Sequence, residues 1–187
     1  RRSCRNAIVS GFDSFGYFQV LEARNGKEGY ELAKKEDLSL IITDVMMPEM
    51  NGIEFCNKIK NNLYTSHIPV VMLTAKGEID DQIAGLEQGA DDYITKPFHI
   101  DVLIAKAQAM IENRRKIREK FRLSDSVTPE EITTNSLDQQ FFSRINEIIE
   151  KHYTDSTFDV DQFASEMFVS RSQLYKKLKA ITDLSAN

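Results

Sequence analysis

From Tyr17 to about Phe121, short β-branched or apolar runs alternate with segments of helical periodicity, and this alternation restricts the fold more than any other feature. FQVLEA (Phe18 to Ala23), LIITD (Leu40 to Asp44), PVVMLT (Pro69 to Thr74) and DYIT (Asp92 to Thr95) are apolar runs bounded by turn residues, the signature of strands. Between them KEGYELAKKE, IEFCNKIKNN and DDQIAGLEQGA place polar and apolar residues at helical spacing. Strands that alternate with helices imply a mainly parallel α/β sheet covered on both faces. The ligand site of such a sheet lies outside the carboxyl ends of its strands. Asp44, Thr74, Thr95 and Lys96 all fall at such ends, so three strands deliver polar groups to one edge.

The rest of the chain has a different texture. Ile100, Leu103, Ile104, Ala107, Ile111 and Phe121 share roughly one helix face, which ends in the basic run RRKIREK: a covering helix that runs on past its domain. RLSDSVTPEEITTNS then loses all periodicity and reads as a linker. The expected organisation is a domain over residues 1–121, a linker over 122–135 and a small all-α segment over 136–187. Ser136 with Gln139 makes a capping box, and Leu137, Phe141, Ile145, Ile148 and Ile149 follow at core spacing. FDVDQFASEMFVSRSQLYKKLKAITDLSAN reads as helix, tight turn, helix. Val160, Phe163 and Ala164 form an apolar face, Met167 to Val169 the turn, and Ser170 with Gln173 a second capping box. The last helix carries Arg171, Lys176, Lys177 and Lys179 with no acid between Ser170 and Ile181, a charge pattern that fits a phosphate-lined major groove. Arg171, Ser172 and Gln173 lie at its amino end, where recognition helices meet base edges, and Tyr175 lies one turn on. A basic amphipathic helix is more often a solvated face than a nucleic-acid reader.

Composition narrows the function classes. The chain has 187 residues, 41% hydrophobic and 28% charged, enough for one full domain plus a smaller one. No apolar stretch approaches the roughly 20 residues that span a bilayer, and no basic-then-apolar leader opens the chain, so the cytoplasm is the default compartment and no membrane contact is expected. Cys4 and Cys56 lie far apart without a CxxC, and His67, His99 and His152 are scattered, which argues against a disulfide framework or structural zinc. A net charge of −5 argues against coating by nucleic acid over the whole surface, though not against a local patch.

An aspartate can accept a phosphoryl group if a cation neutralises carboxylate and phosphate and if the product oxygens find donors. Asp44 supplies the nucleophile, with the Thr74 hydroxyl and the Lys96 ammonium as donors. Taken singly, a strand-end aspartate is more often a turn or capping residue, and Tyr93 reads as a half-buried strand residue. Taken together, DVMMPEMNG, PVVMLTAK and GADDYITKPF resemble the receiver domain of two-component response regulators over most of residues 5 to 121. The resemblance implies a flavodoxin-like doubly wound sheet, with Asp44 as phosphoacceptor and a histidine kinase domain as phosphodonor. It further implies Thr74 as switch hydroxyl, Tyr93 as switch aromatic, Lys96 as the phosphate-contacting lysine, and magnesium held by Asp44 and the backbone carbonyl of Met46.

The sequence departs from the receiver pattern at its start. RNAIVSGFDSF resembles the first helix, so the usual first strand and the acidic pair that ends it are not present, and Asp13 falls too late to substitute. In the order 2-1-3-4-5 the missing strand lies between the second and third, so the expectation is that another chain or a swapped segment fills the slot, that the local structure is rearranged, or that the sequence is a fragment of a longer protein. SRSQLYKKLKAITDLSAN resembles the first helix-turn-helix of an AraC-type DNA-binding domain, which carries two such units; Phe168 departs from the usual small or polar turn residue. The combination resembles the output end of hybrid two-component systems. It implies a regulator phosphorylated on Asp44 that acts on promoter DNA, as a homodimer for which strand exchange is one route. No second catalytic constellation marks an enzyme, and any kinase activity would belong upstream. The rival readings are a phosphorylation-independent dimerising DNA-binding regulator and a receiver serving only as an interaction module.

Overall fold

The structure, a computed structural model, describes residues 2–14, 16, 18–75, 89–123 and 136–182. Its elements in chain order are α1 (Arg2–Asp13), α2 (Gly26–Lys35), β1 (Ile41–Asp44), α3 (Gly52–Lys60), β2 (Val70–Ala75), β3 (Asp92–Lys96), α4 (Ile100–Leu123), α5 (Ser136–His152), α6 (Val160–Glu166) and α7 (Arg171–Thr182). They fall into two compact units, Arg1–Ile59 with Ile68–Asn113, and Lys60–His67 with Arg114–Asn187.

The first unit holds a three-stranded parallel sheet in the order β1-β2-β3. Strand alternation divides its side chains between two cores. Ile41, Val70, Met72 and Tyr93 pack with Ala33 of α2 and with Phe55, Cys56 and Ile59 of α3. Ile42, Val71, Leu73 and Ile94 pack instead with Phe12 of α1 and with Leu103, Ile104 and Ala107 of α4. Helices on both faces of a parallel sheet are the doubly wound arrangement that the alternating pattern implied. Local signals place the helix starts. Asn25 caps α2 by accepting the Glu28 amide at 2.9 Å, and Asn51 accepts the Glu54 amide at 2.8 Å ahead of α3.

Two expectations for this unit need correction or restriction. Phe18 to Ala23 was expected as a strand and is not one: residues 18–23 lie outside the sheet. A strand needs a neighbour for its ladder, and the strand that the receiver order would pair with this one is not among the described residues. Phe18 and Val20 instead turn apolar side chains onto the α1–α4 core, where the Phe18 ring meets Phe12 edge-on at 5.2 Å. The helix expected over DDQIAGLEQGA falls almost wholly outside the described residues.

In the second unit α5, α6 and α7 surround a core of Phe141, Phe142, Ile145, Ile148, Ala164 and Leu174, against which Leu63 also packs. Of the expected α5 face, Ile149 is 49% exposed, while Phe142, not singled out from the sequence, is buried. Asp138, Phe141, Phe142, Ile145 and Ile148 form one buried face, and Ile149, which helical spacing also places there, lies in the last turn of α5 and stays half exposed. Asp159 and Gln162 form a reciprocal capping box at the start of α6, with bonds of 2.8 and 3.0 Å. Ser170 and Gln173 form the box expected for α7. Between the two helices Phe168 takes the left-handed conformation, φ 56°, and is 89% exposed. The turn supplies the φ that a glycine would adopt more readily.

Candidate functional site

The site grows out of the strand register. Asp44 stands opposite Leu73, and Leu73 opposite Ile94. Thr74 is therefore one residue, and Lys96 two residues, beyond the level of Asp44, and the three strands end as a staircase. The chain turns sharply after Asp44. The Val45 amide donates to the Leu73 carbonyl at 3.1 Å, and the Gly52 amide donates back to Val45 at 2.8 Å. A Cβ on Gly52 would lie 2.3 Å from the Asp44 carbonyl oxygen, so only glycine lets α3 start against the backbone of the site.

Asp44 and Lys96 form an ion pair, with each side chain 30% exposed: sheltered enough to be held, open enough to be reached. The other carboxylate oxygen, Asp44 Oδ1, accepts the Met46 amide at 3.3 Å. Thr74 is fully buried at the end of β2. Tyr93 is half-buried on the same sheet face as Thr74, and its hydroxyl is buried with no hydrogen-bond partner among the described residues. Burial, with a smaller contribution from Cys56, pushes its phenol pKa up to about 12. Asp92, at the start of β3, pairs with Lys106 of α4 at 2.7 Å and stays clear of the staircase.

Among the described residues, the groups expected to meet a divalent cation are the Asp44 carboxylate and the Met46 carbonyl. Among the described residues no group of three or more His, Cys, Asp or Glu side chains could hold a metal ion. The described residues do not by themselves compose a magnesium site.

Residues 1–108 match the response regulator receiver domain family. The chain belongs to that family. It is 43% identical over 170 residues to histidine kinase P4 of Formosa agariphila, an alignment that covers 91% of this chain and 12% of that protein. It is 39% identical over 118 residues to the uncharacterized transcriptional regulatory protein YclJ of Bacillus subtilis, covering 63% of this chain and 51% of the relative. Among solved structures, the signal receiver domain of a signal transduction histidine kinase from Syntrophus aciditrophicus aligns with a TM-score of 0.57 at 30% identity. That match covers 68% of this chain and 91% of the neighbour. The chain thus spans about an eighth and about half of these two curated relatives. In a receiver, a histidine kinase transfers a phosphoryl group to an aspartate.

The α7 surface carries the second set of sequence candidates. Arg171, Ser172, Lys176 and Lys179 are exposed, and Tyr175 is half-buried with the Arg171 guanidinium 5.8 Å from its ring centre. Gln173 is exposed, with its side-chain carbonyl committed to the cap on Ser170. Lys177 is different: its side chain is fully buried and paired with Asp138 at 2.5 Å, so it cannot meet a phosphate from this position. The correction has a helical reason. Lys177 lies three residues after Leu174 and four before Ile181, on the inward stripe of α7, and charge content alone does not show which face a lysine takes. The same periodicity, applied to the lysines, could have found it. Among the described residues no helix is long and apolar enough to cross a membrane.

Proposed function

We propose that this receiver takes a phosphoryl group on Asp44 from a histidine kinase domain and passes the change to a DNA-binding output through α7. The observation that carries this reading is the Asp44–Lys96 pair, set at the carboxyl ends of two parallel strands with buried Thr74 on the strand between. An Asp44 carboxylate oxygen attacks the phosphorus of a phosphohistidine. The new O–P bond forms as the P–N bond breaks, and the imidazole keeps the electron pair and takes a proton. Lys96 then leaves the carboxylate for a phosphoryl oxygen, which keeps its ammonium compensated through the transfer. Thr74 donates to another phosphoryl oxygen, and Tyr93 moves with it, carrying the change along β3 into α4.

Magnesium, which receivers bind in their active sites, would use Asp44 and the Met46 carbonyl; further ligands would come from outside the described residues. For output, Arg171, Lys176 and Lys179 contact DNA phosphates, while Ser172 and Gln173 at the amino end of α7 face base edges, with Tyr175 beside them. Two observations support an output role for the carboxyl-terminal segment. α6, the turn and α7 stand in helix-turn-helix order with both helix starts capped. The likeness to the Formosa kinase is too long to lie within residues 1–108 alone, so it continues into this segment.

The test is a transcript profile of cells carrying Asp44→Asn in the intact protein. Loss of the signal-dependent transcripts is expected. An unchanged profile would overturn the proposal and favour a regulator that works without phosphorylation.

A further inference from the structure

Three buried polar groups meet in the second unit, where apolar packing would serve stability as well. Lys177 Nζ donates to Asp138 Oδ1 at 2.5 Å and to Ser66 Oγ at 2.8 Å, and Ser66 Oγ donates to the same Asp138 oxygen at 2.7 Å. The ammonium and the carboxylate are withdrawn from solvent, and so is the serine between them. A buried ion pair rarely adds net stability over a well-packed apolar substitute, so its effect lies in which segments it holds together. Asp138 belongs to α5 and Lys177 to α7. Ser66 belongs to neither: it comes from the short segment Lys60–His67, whose Leu63 also packs on this core.

That segment has an unusual place in the chain. It begins at Lys60, the last residue of α3, whose first residue, Gly52, abuts the Asp44 carbonyl, and it leads through Ile68 and Pro69 into β2, which carries Thr74 near its end. The loop that supplies Ser66 is therefore bounded on both sides by elements of the phosphorylation site. His67 completes it, buried with no partner for Nδ1 among the described residues.

We propose that Lys60–His67 is a clasp on α7. Ser66, together with Asp138, holds the Lys177 ammonium inward and out of reach of nucleic-acid phosphate, and phosphorylation of Asp44 loosens that hold. The inference rests on the reading of Asp44 and α7 given above. It makes the loop a two-state element biased at one end by the phosphoryl group and read at the other as the accessibility of one lysine.

The experiment is lysine footprinting of the full chain with an amine-acylating ester, read by peptide mass spectrometry. It is run before and after treatment with acetyl phosphate in the wild type, Asp44→Asn, Ser66→Ala and Leu63→Ala, with intact mass recorded on each sample. In the untreated wild type, Lys177 is expected to react at least about tenfold more slowly than Lys176 and Lys179. Treatment raises its rate in the wild type and not in Asp44→Asn. Ser66→Ala, or Leu63→Ala if the first does not fold, raises it without treatment. Lys177 as reactive as Lys176 at the outset would overturn the clasp, and so would Lys177 still protected in a chain that carries the Asp44 adduct. If no adduct forms, the reading of Asp44 fails and takes phosphorylation with it as the input. Release of Lys177 in the loop variants would then support the clasp alone, and continued protection in them would overturn that too.

Discussion

Single atoms decide several properties of this chain. The Tyr93 hydroxyl is buried without a partner among the described residues, and an unsatisfied buried donor costs about 1–3 kcal/mol. Tyr93→Phe is therefore expected to leave stability unchanged or raise it by about 1 kcal/mol in urea titrations; a loss of that size would mean that the hydroxyl has an acceptor. His67 gives a pH dependence of definite sign. Burial first, then the charges of Lys177, Arg114, Arg118 and Lys60, lower its pKa from 6.5 to about 2. Between those values the unfolded chain binds a proton that the folded one refuses. The stability is therefore present above pH 6.5 and falls as the pH drops, by up to about 1.4 kcal/mol per pH unit. His67→Gln should lose about 2 kcal/mol less than the wild type between pH 7.5 and pH 5, as urea midpoints would show; equal losses would place His67 in contact with solvent. At this scale Asp44, Thr74, Tyr93 and Lys96 were legible from the sequence because each follows a strand pattern that fixes its place. His67 was not, because its surroundings come from a loop with no periodicity of its own; the inward face of Lys177 follows from helical spacing, but its contact with Ser66, more than a hundred residues away, does not.

Elements form where their local signals agree with their neighbours. The start of α6 rests on the Asp159–Gln162 box, and Asp159→Ala is expected to cost about 1 kcal/mol, read from the thermal midpoint of the chain. α5 and α7 are joined by a pair whose removal is asymmetric. Asp138→Ala leaves the Lys177 ammonium buried and uncompensated, at a cost of about 3–5 kcal/mol. The double variant Asp138→Leu with Lys177→Met is expected to be more stable than either single change, because no charge then remains buried. A double variant less stable than both would show that the pair itself supplies the stability. The same dependence on neighbours explains why FQVLEA misled. Its composition is that of a strand, but a strand is a relation between two segments, and the partner that the receiver order assigns to it is not in this sequence. β1, β2 and β3 were legible because each finds a neighbour among the others.

At the scale of the molecule, the α/β alternation through Lys96 was enough to specify a parallel sheet with helices on both faces and polar groups at one edge. The receiver family itself was legible through the resemblance of DVMMPEMNG, PVVMLTAK and GADDYITKPF, whose Asp44, Thr74 and Lys96 fall at those strand ends. The affiliation of Lys60–His67 was not legible. Sequence patterns show which residues prefer burial, not which core receives them, and this loop lies in the compact unit of α5, α6 and α7. The claim on which the rest depends is that Asp44 accepts phosphoryl. The direct measurement is intact mass after incubation with acetyl phosphate, with and without magnesium, in the wild type and Asp44→Asn. A single magnesium-dependent phosphoryl adduct on the wild type and none on the variant is the expected result. An adduct of equal extent on both proteins would contradict the assignment, and so would no adduct on a folded wild type under any condition.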